Sequence, residues 1–184
     1  VARFPKRREK FIKKLKLSSS YETVCNDQNS QWLQLTNGYE EILDKLRKSG
    51  YSDDIRLSAD ALSGLIEFCD RQKFIADRLS TERFSILYSD KKAPASSSIY
   101  SLINPHLNSK IVNDLATTSK LIQIAKDYLG VMPVLMNTQI WYTFPQEAMV
   151  AHHNFGFHYD IDDYKFIKFF FYLDKVDDDC GPHI

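Results

Sequence analysis

A histidine and an aspartate two positions apart, His158 and Asp160, are the residues of this sequence with the clearest chemical potential. On an extended chain, residues i and i+2 project to the same side, so an imidazole nitrogen and a carboxylate oxygen can address one point. This pair is the core of the two-histidine, one-carboxylate arrangement that binds Fe(II) and leaves coordination positions open. Taken alone the motif is a weak signal, and a surface histidine beside a solvated aspartate is the alternative.

Three apolar segments predict the strands that would position this pair. Phe166–Leu173 is a nearly continuous aromatic and apolar run, which predicts a strand buried on both faces. Phe155–Asp160 predicts a short strand that carries the pair itself. Val134–Phe144 is rich in β-branched and aromatic residues and is bounded by Pro133 and Pro145, which predicts another strand.

The order of motifs around the pair resembles the phytanoyl-CoA dioxygenase-like family of Fe(II)/2-oxoglutarate oxygenases. In that family an HxD pair precedes an acidic turn, a lysine-containing aromatic strand ending in Tyr-Leu, an Asp-x-Val turn and Gly-Pro. The upstream segment from Tyr128 to Trp141 is also similar, so the resemblance covers about residues 128–183 and is loose before them. The matching residues here are His158–Asp160, Asp162-Asp163, Phe166–Leu173, Asp174–Val176 and Gly181-Pro182.

The resemblance implies a double-stranded β-helix, or jelly-roll barrel, with helices packed on one side. His158 and Asp160 would be two of the iron ligands, and 2-oxoglutarate would chelate the metal. The implied reaction is hydroxylation of a small organic substrate by O2, coupled to conversion of 2-oxoglutarate to succinate. Asp160 itself favours hydroxylation, because related halogenases have a small residue at that position. Neither the substrate nor the oligomeric state is indicated.

The sequence departs from the family's pattern at its C-terminal end. The family's distal histidine ligand and the basic residue that binds 2-oxoglutarate come well after the Gly-Pro turn, and this sequence stops at Ile184. Together with Val1 as the first residue, this suggests a piece of a longer protein. We therefore expect the 184-residue chain to be inactive alone and its parent protein to be the oxygenase. The alternative is a non-catalytic binding or structural protein that retains the jelly-roll scaffold.

Three further polar residues could bind the co-substrate that the resemblance implies. Lys168 lies inside an apolar run, where an unpaired ammonium is costly. It could approach the co-substrate carboxylate or pair with a nearby aspartate, and the pairing is the interpretation that we favour. Asn137 and Gln139 share a face of the preceding strand with Trp141, so either could touch the co-substrate. A hydrolytic zinc site is disfavoured, because the sequence has no HExxH motif and no histidine cluster.

The elements before the predicted strands are helical. The stripe of Tyr39, Ile42, Leu43 and Leu46 predicts a helix that ends at Gly50, and Ser58 is the predicted cap of a second helix. One helix or two are predicted across Asn108–Leu129, with Gly130 as the stop. We expect one α+β domain, with helices over residues 31–130 and barrel strands over residues 131–184, incomplete at its C-terminus. The predicted buried face of the last helix carries Leu121, Ile122, Ala125, Tyr128 and Leu129.

The composition is that of an ordinary globular domain, with 24 basic and 24 acidic residues. No apolar run reaches the length of a membrane span. Val1–Lys16 carries eight basic residues against Glu9, and the spacing of Phe11, Ile12 and Leu15 suits a short helix, so we expect residues 1–30 to form a basic helix and a polar linker. This helix could contact nucleic acid or an anionic membrane, but one basic segment is weak evidence, and we favour a solvated helix and no nucleic-acid partner.

Three widely spaced cysteines indicate free thiols and a cytoplasmic location.

Overall fold

The computed structural model of the chain describes residues 31–76, 85–87, 99–143, 160, 163 and 165–177. Helices and short strands are interspersed along these ranges. The helices are α1 (Tyr39–Ser49), α2 (Ala59–Asp70), α3 (Lys110–Ala116) and α4 (Ser119–Leu129). The strands are β1 (Leu33–Leu35), β2 (Ile55–Leu57), β3 (Lys73–Ala76), β4 (Ser85–Leu87), β5 (Ile99–Ile103) and β6 (Gln139–Thr143).

The strands form two antiparallel sheets, which confirms the predicted α+β class. β1 pairs with β2 across the connection that contains α1. The larger sheet has the order β4-β3-β5-β6, and α3 and α4 lie in the chain between its last two strands. In the register of β5 with β6, Ile99 lies opposite Thr143 and Ile103 lies opposite Gln139. Both sheets are open within the described ranges, and these ranges contain no closed barrel.

The predicted helix ends are confirmed by their capping residues. Gly50 and Gly130 follow α1 and α4 with φ values of 81° and 76°, a left-handed conformation that glycine adopts without a Cβ clash. The Ser58 hydroxyl accepts a hydrogen bond from the backbone N–H of Ala61 at 3.3 Å and caps α2. Residues 108–129 form two helices, separated at Thr117 and Thr118. Among the described residues, no helix combines the length and the apolar character needed to cross a membrane.

The core lies where the helices pack on the strands. One cluster joins α1 to α4, a second joins β1 to α2, α3 and α4, and a third lies between α2 and the four-stranded sheet. Side chains from residues 167–173 also pack against these clusters, and Phe169 contacts both of the first two. The buried members are Ile42, Leu43, Leu46 and Ile124 in the first cluster, Leu33, Leu65, Val112, Leu115 and Leu121 in the second, and Cys69, Phe74 and Tyr100 in the third.

The predicted order, helices first and strands after residue 131, is wrong. Five of the described strands, β1 to β5, precede that position, and α1 and α2 lie among them. Most of them are three or four residues long, and a period of two cannot be recognised over so short a segment. The division into residues 1–30 and residues 31–184 stays a prediction.

The predicted strand Phe166–Leu173 is corrected in two respects. The structure assigns it to neither sheet, although burial alternates along it as in an extended chain. It is also not buried on both faces, because Phe170 and Tyr172 are each 51% exposed. A continuous apolar run shows no alternation to read, and apolar residues also contribute more than half of a folded protein's surface, so tertiary packing decides which face is exposed.

Candidate functional site

Asp160 forms an ion pair with Lys168. The Lys168 Nζ lies 2.6 Å from the Asp160 Oδ2, and the two side chains are 36% and 40% exposed, respectively. Of the two roles predicted for Lys168, pairing with a nearby aspartate is the one observed in this structure. The aspartate concerned is the one predicted to be an iron ligand.

The alternation of residues 167–173 explains how Lys168 is accommodated in an apolar run. Ile167, Phe169, Phe171 and Leu173 pack against the core clusters. The intervening residues Lys168, Phe170 and Tyr172 are exposed and form what we call the outer face. Because successive side chains of an extended chain alternate in direction, the ammonium lies on the solvent side and avoids the cost of burial.

Strand β6 adjoins the outer face through an aromatic contact. The rings of Trp141 and Phe170 meet edge to face, with centroids 6.4 Å apart and an interplanar angle of 64°. The Trp141 Nε1–H donates a hydrogen bond of 2.7 Å to the Gln139 Oε1. Contacts therefore lead from Gln139 through Trp141 to Phe170, two residues along the outer face from Lys168.

Asn137 and His158 are the two predicted site residues that these contacts do not include. Asn137 is exposed and lies two residues before β6. His158 lies outside the described residues, as do His152, His153, His183, Asp162 and the loop Ser89–Ser98. The convergence of His158 and Asp160 on one point stays a prediction.

The described residues supply one of the expected donors for Fe(II). The Asp160 carboxylate suits this role, because it is an oxygen ligand that a cation can reach from solvent. Its charge is offset by the Lys168 ammonium at 2.6 Å. Within the described part of the chain, no group of three or more histidine, cysteine, aspartate or glutamate residues could hold a metal ion. Asp160 fits the proposed metal, while a complete ligand set depends on residues outside the described ranges.

A second carboxylate, Asp54, was not identified from the sequence. It is 3% exposed and accepts hydrogen bonds from the Lys45 Nζ, the Asn37 Nδ2 and the Ser52 Oγ, each at 2.7 Å. The Thr36 Oγ1 adds a longer bond of 3.3 Å. Lys45 above all, then Ser52 and Asn37, lower the pKa of Asp54 from 3.8 to about 2, against burial, which raises it.

Asp54 is therefore a structural carboxylate. Both of its oxygens accept from protein donors, which fix the turn before α1 to the segment that leads into β2. The available sequence signals were the Thr36-Asn37 pair before α1 and Ser52 two positions before Asp54, because short polar side chains of this kind form local turns.

Comparison of the chain with protein-family models, with curated proteins and with solved structures finds no match. The resemblance to the phytanoyl-CoA dioxygenase-like family therefore rests on the motifs of residues 128–183 alone.

Proposed function

We propose that this chain is part of an Fe(II)/2-oxoglutarate-dependent dioxygenase that hydroxylates a small organic substrate. The observation that carries the proposal is the accessible Asp160 carboxylate, paired with Lys168 at 2.6 Å beside the outer face that Trp141 joins to Gln139. Three of the five predicted site residues thus belong to one connected surface. This surface combines an oxygen ligand for a metal with an ammonium and an amide that can bind carboxylates.

The contrast between Asp54 and Asp160 supports this choice of carboxylate. A metal ligand needs an oxygen that a cation can approach, and the Asp54 oxygens are buried among protein donors. The Asp160 side chain is partly exposed, and its lysine partner is itself exposed. A long lysine side chain can move away from a surface carboxylate at low cost.

In the proposed site, His158 and Asp160 hold the iron. The bound metal and 2-oxoglutarate supply the activation of O2, which the protein itself cannot perform. Gln139, Asn137 and Lys168 would orient the carboxylates of the co-substrate through hydrogen bonds or charge. The aromatic side chains of Trp141 and Phe170 would keep water away from one side of the site.

We further propose that β6 and residues 165–177 belong to a jelly-roll barrel. The antiparallel pairing of β5 with β6 is the kind of pairing that such a barrel uses. The Trp141–Phe170 contact brings residues 165–177 beside β6, as neighbouring elements of one barrel would be.

A buried free thiol, Cys69, supports a reducing compartment and hence the cytoplasm.

The alternative is a non-catalytic binding or structural protein on the same scaffold. The ion pair is also expected on such a scaffold, where Lys168 would be the partner of Asp160 and no metal would displace it. The two proposals differ in whether a divalent cation binds at Asp160.

The test is metal binding and turnover by the complete parent protein. We expect wild type to bind Mn(II) together with 2-oxoglutarate and, with Fe(II) and a screened substrate, to release succinate. His158→Ala and Asp160→Ala are expected to lose both properties, because each removes a ligand. Asp163→Ala is the matched control, since it removes a nearby exposed carboxylate and is expected to retain both.

Retention of metal binding by both ligand variants would contradict the site assignment. Absence of metal binding and of succinate release in wild type would favour the non-catalytic scaffold.

A further inference from the structure

We infer that Lys168 is an internal competitor for the metal: its ammonium holds Asp160 until a divalent cation displaces it. The inference rests on the proposed function and adds a role for Lys168 that is distinct from binding the co-substrate. It follows from the position of the Lys168 Nζ, 2.6 Å from the Asp160 Oδ2.

Two cations cannot share this carboxylate without repulsion. Divalent metals bind carboxylate oxygens at about 2.0 to 2.2 Å, so a metal on Asp160 would lie close to an ammonium hydrogen-bonded to the same group. The repulsion is offset when the ammonium moves into water or onto another partner. Metal binding therefore weakens the Asp160–Lys168 ion pair, and the ion pair weakens metal binding.

The Lys168 ammonium has a second contact besides Asp160. While it pairs with that carboxylate, its Nζ is 5.3 Å from the centroid of the Phe166 ring, within the range of a cation–π contact. The side chain is also partly exposed on the outer face, so the ammonium can be hydrated after it leaves Asp160. Displacement therefore takes place on the face opposite to Ile167 and Phe169, which pack against the core clusters.

The expected size of the effect follows from the exposure of the pair. Surface ion pairs contribute little, and competition from one of them lowers metal affinity roughly two- to fivefold. Removal of the Lys168 charge should therefore raise the affinity for Mn(II) by this factor. Retention of the charge in Lys168→Arg should leave the affinity close to that of wild type.

The experiment is an Mn(II) titration of the complete parent protein, in which electron paramagnetic resonance measures the free metal. Lys168→Met and Lys168→Gln are the two neutral variants, so that the test does not depend on the folding of one of them. Lys165→Met is the matched control, because the Lys165 ammonium contacts Tyr128, whereas the Lys168 ammonium contacts Asp160. The Lys165 ammonium binds the Tyr128 carbonyl oxygen and lies 4.2 Å from the centroid of the Tyr128 ring. This variant removes an equal charge from the same segment.

We expect the neutral Lys168 variants to bind Mn(II) roughly two- to fivefold more tightly, and Lys165→Met and Lys168→Arg to resemble wild type. Unchanged or weaker binding by the neutral variants would overturn the inference and leave the proposed function standing. An equal gain in Lys165→Met would overturn it too, since the effect would then be general electrostatics. Absence of Mn(II) binding in every variant, wild type included, would overturn the proposed function along with it.

Discussion

Lys45 lies on the exposed side of α1, yet its ammonium nitrogen is 2.7 Å from the Oδ2 of the buried Asp54. The apolar stem of the lysine spans the distance from the helix surface to the carboxylate. Asn37 and Ser52 donate to the same carboxylate from the two neighbouring turns. One charged group thus connects the turn before α1, the helix itself and the segment that leads into β2.

Asp54→Asn should lower the free energy of unfolding at neutral pH and make it vary less with pH in the acidic range. The folded-state pKa of Asp54 is about 2, below its ordinary 3.8. The unfolded chain therefore binds the proton first, so the stabilisation is complete above about pH 5 and is lost as pH falls towards about pH 2. Urea unfolding across this range measures it. The exposed neighbour Asp53 supplies the control Asp53→Asn, and an Asp54→Asn curve as steep as that of wild type would contradict the assignment.

Tyr39→Phe should destabilise the contact between α1 and α4. The Tyr39 hydroxyl donates to the Asp127 Oδ2 at 2.5 Å, and the Gln123 Nε2 donates to the same oxygen at 2.8 Å. Loss of a hydrogen bond to a charged group costs about 1.5 to 3 kcal/mol. Urea unfolding near pH 7 measures the loss, and Tyr51→Phe, at an exposed tyrosine, should leave stability unchanged.

The same tyrosine should resist ionisation. Burial and the Asp127 carboxylate raise the pKa of Tyr39 well above its ordinary 10.0. Its contribution to stability is therefore present below about pH 10 and is lost as pH rises further. Ultraviolet titration to about pH 11 should show equal numbers of phenolates in folded wild type and folded Tyr39→Phe, because Tyr39 contributes none, and one more in unfolded wild type than in the unfolded variant. One more phenolate in folded wild type than in folded Tyr39→Phe would contradict this prediction.

Ile124→Ala should be among the most destabilising single substitutions. Ile124 is 0% exposed and packs with Ile42, Leu43 and Leu46 between α1 and α4. Truncation of a buried isoleucine costs about 2 to 5 kcal/mol, because it loses apolar burial and leaves a cavity. Ile122→Ala, at a half-buried position of the same helix, should cost less in a urea titration. An equal or larger loss for Ile122→Ala would contradict the packing described for α4.

Cys69 should react slowly while the protein is folded. Burial raises the pKa of its thiol to about 11, so little thiolate forms at neutral pH. A variant that retains Cys69 and carries serine at positions 25 and 180 isolates this thiol. Mass spectrometry should detect slow alkylation by iodoacetamide in the folded protein and rapid alkylation in urea. Rapid reaction of the folded protein would show that the thiol is accessible.

The helices could be predicted because their signals are local. The stripe of Ile42, Leu43 and Leu46, the Ser58 cap and the two glycine stops lie within the segments that they define. The buried face of α4 was predicted only in part. Leu121 and Ala125 are buried as predicted, but Ile124, which is absent from the predicted set, is buried more deeply than Ile122. Because α4 has two adjacent apolar stripes, the sequence does not decide which of them faces the core, and tertiary packing does.

The strands and the site depend on pairings that are distant in the sequence. β5 pairs with β6 only after two helices intervene, and three-residue strands such as β1 carry little pattern. The ion pair of Asp160 with Lys168 was one of two roles anticipated, because an ammonium in an apolar run needs a partner. The Asp54 network could not be predicted, since its donors come from separate turns and a helix that meet only in the fold.

The proposed site requires His158 and Asp160 to bind the same metal ion. Pulsed electron paramagnetic resonance of the Mn(II)-loaded parent protein tests this directly, because coupling to an imidazole nitrogen identifies a histidine ligand. We expect this coupling in wild type, its loss or reduction in His158→Ala, and greatly weakened Mn(II) binding in Asp160→Ala. Unchanged nitrogen coupling in His158→Ala, together with unchanged Mn(II) affinity in Asp160→Ala, would contradict it.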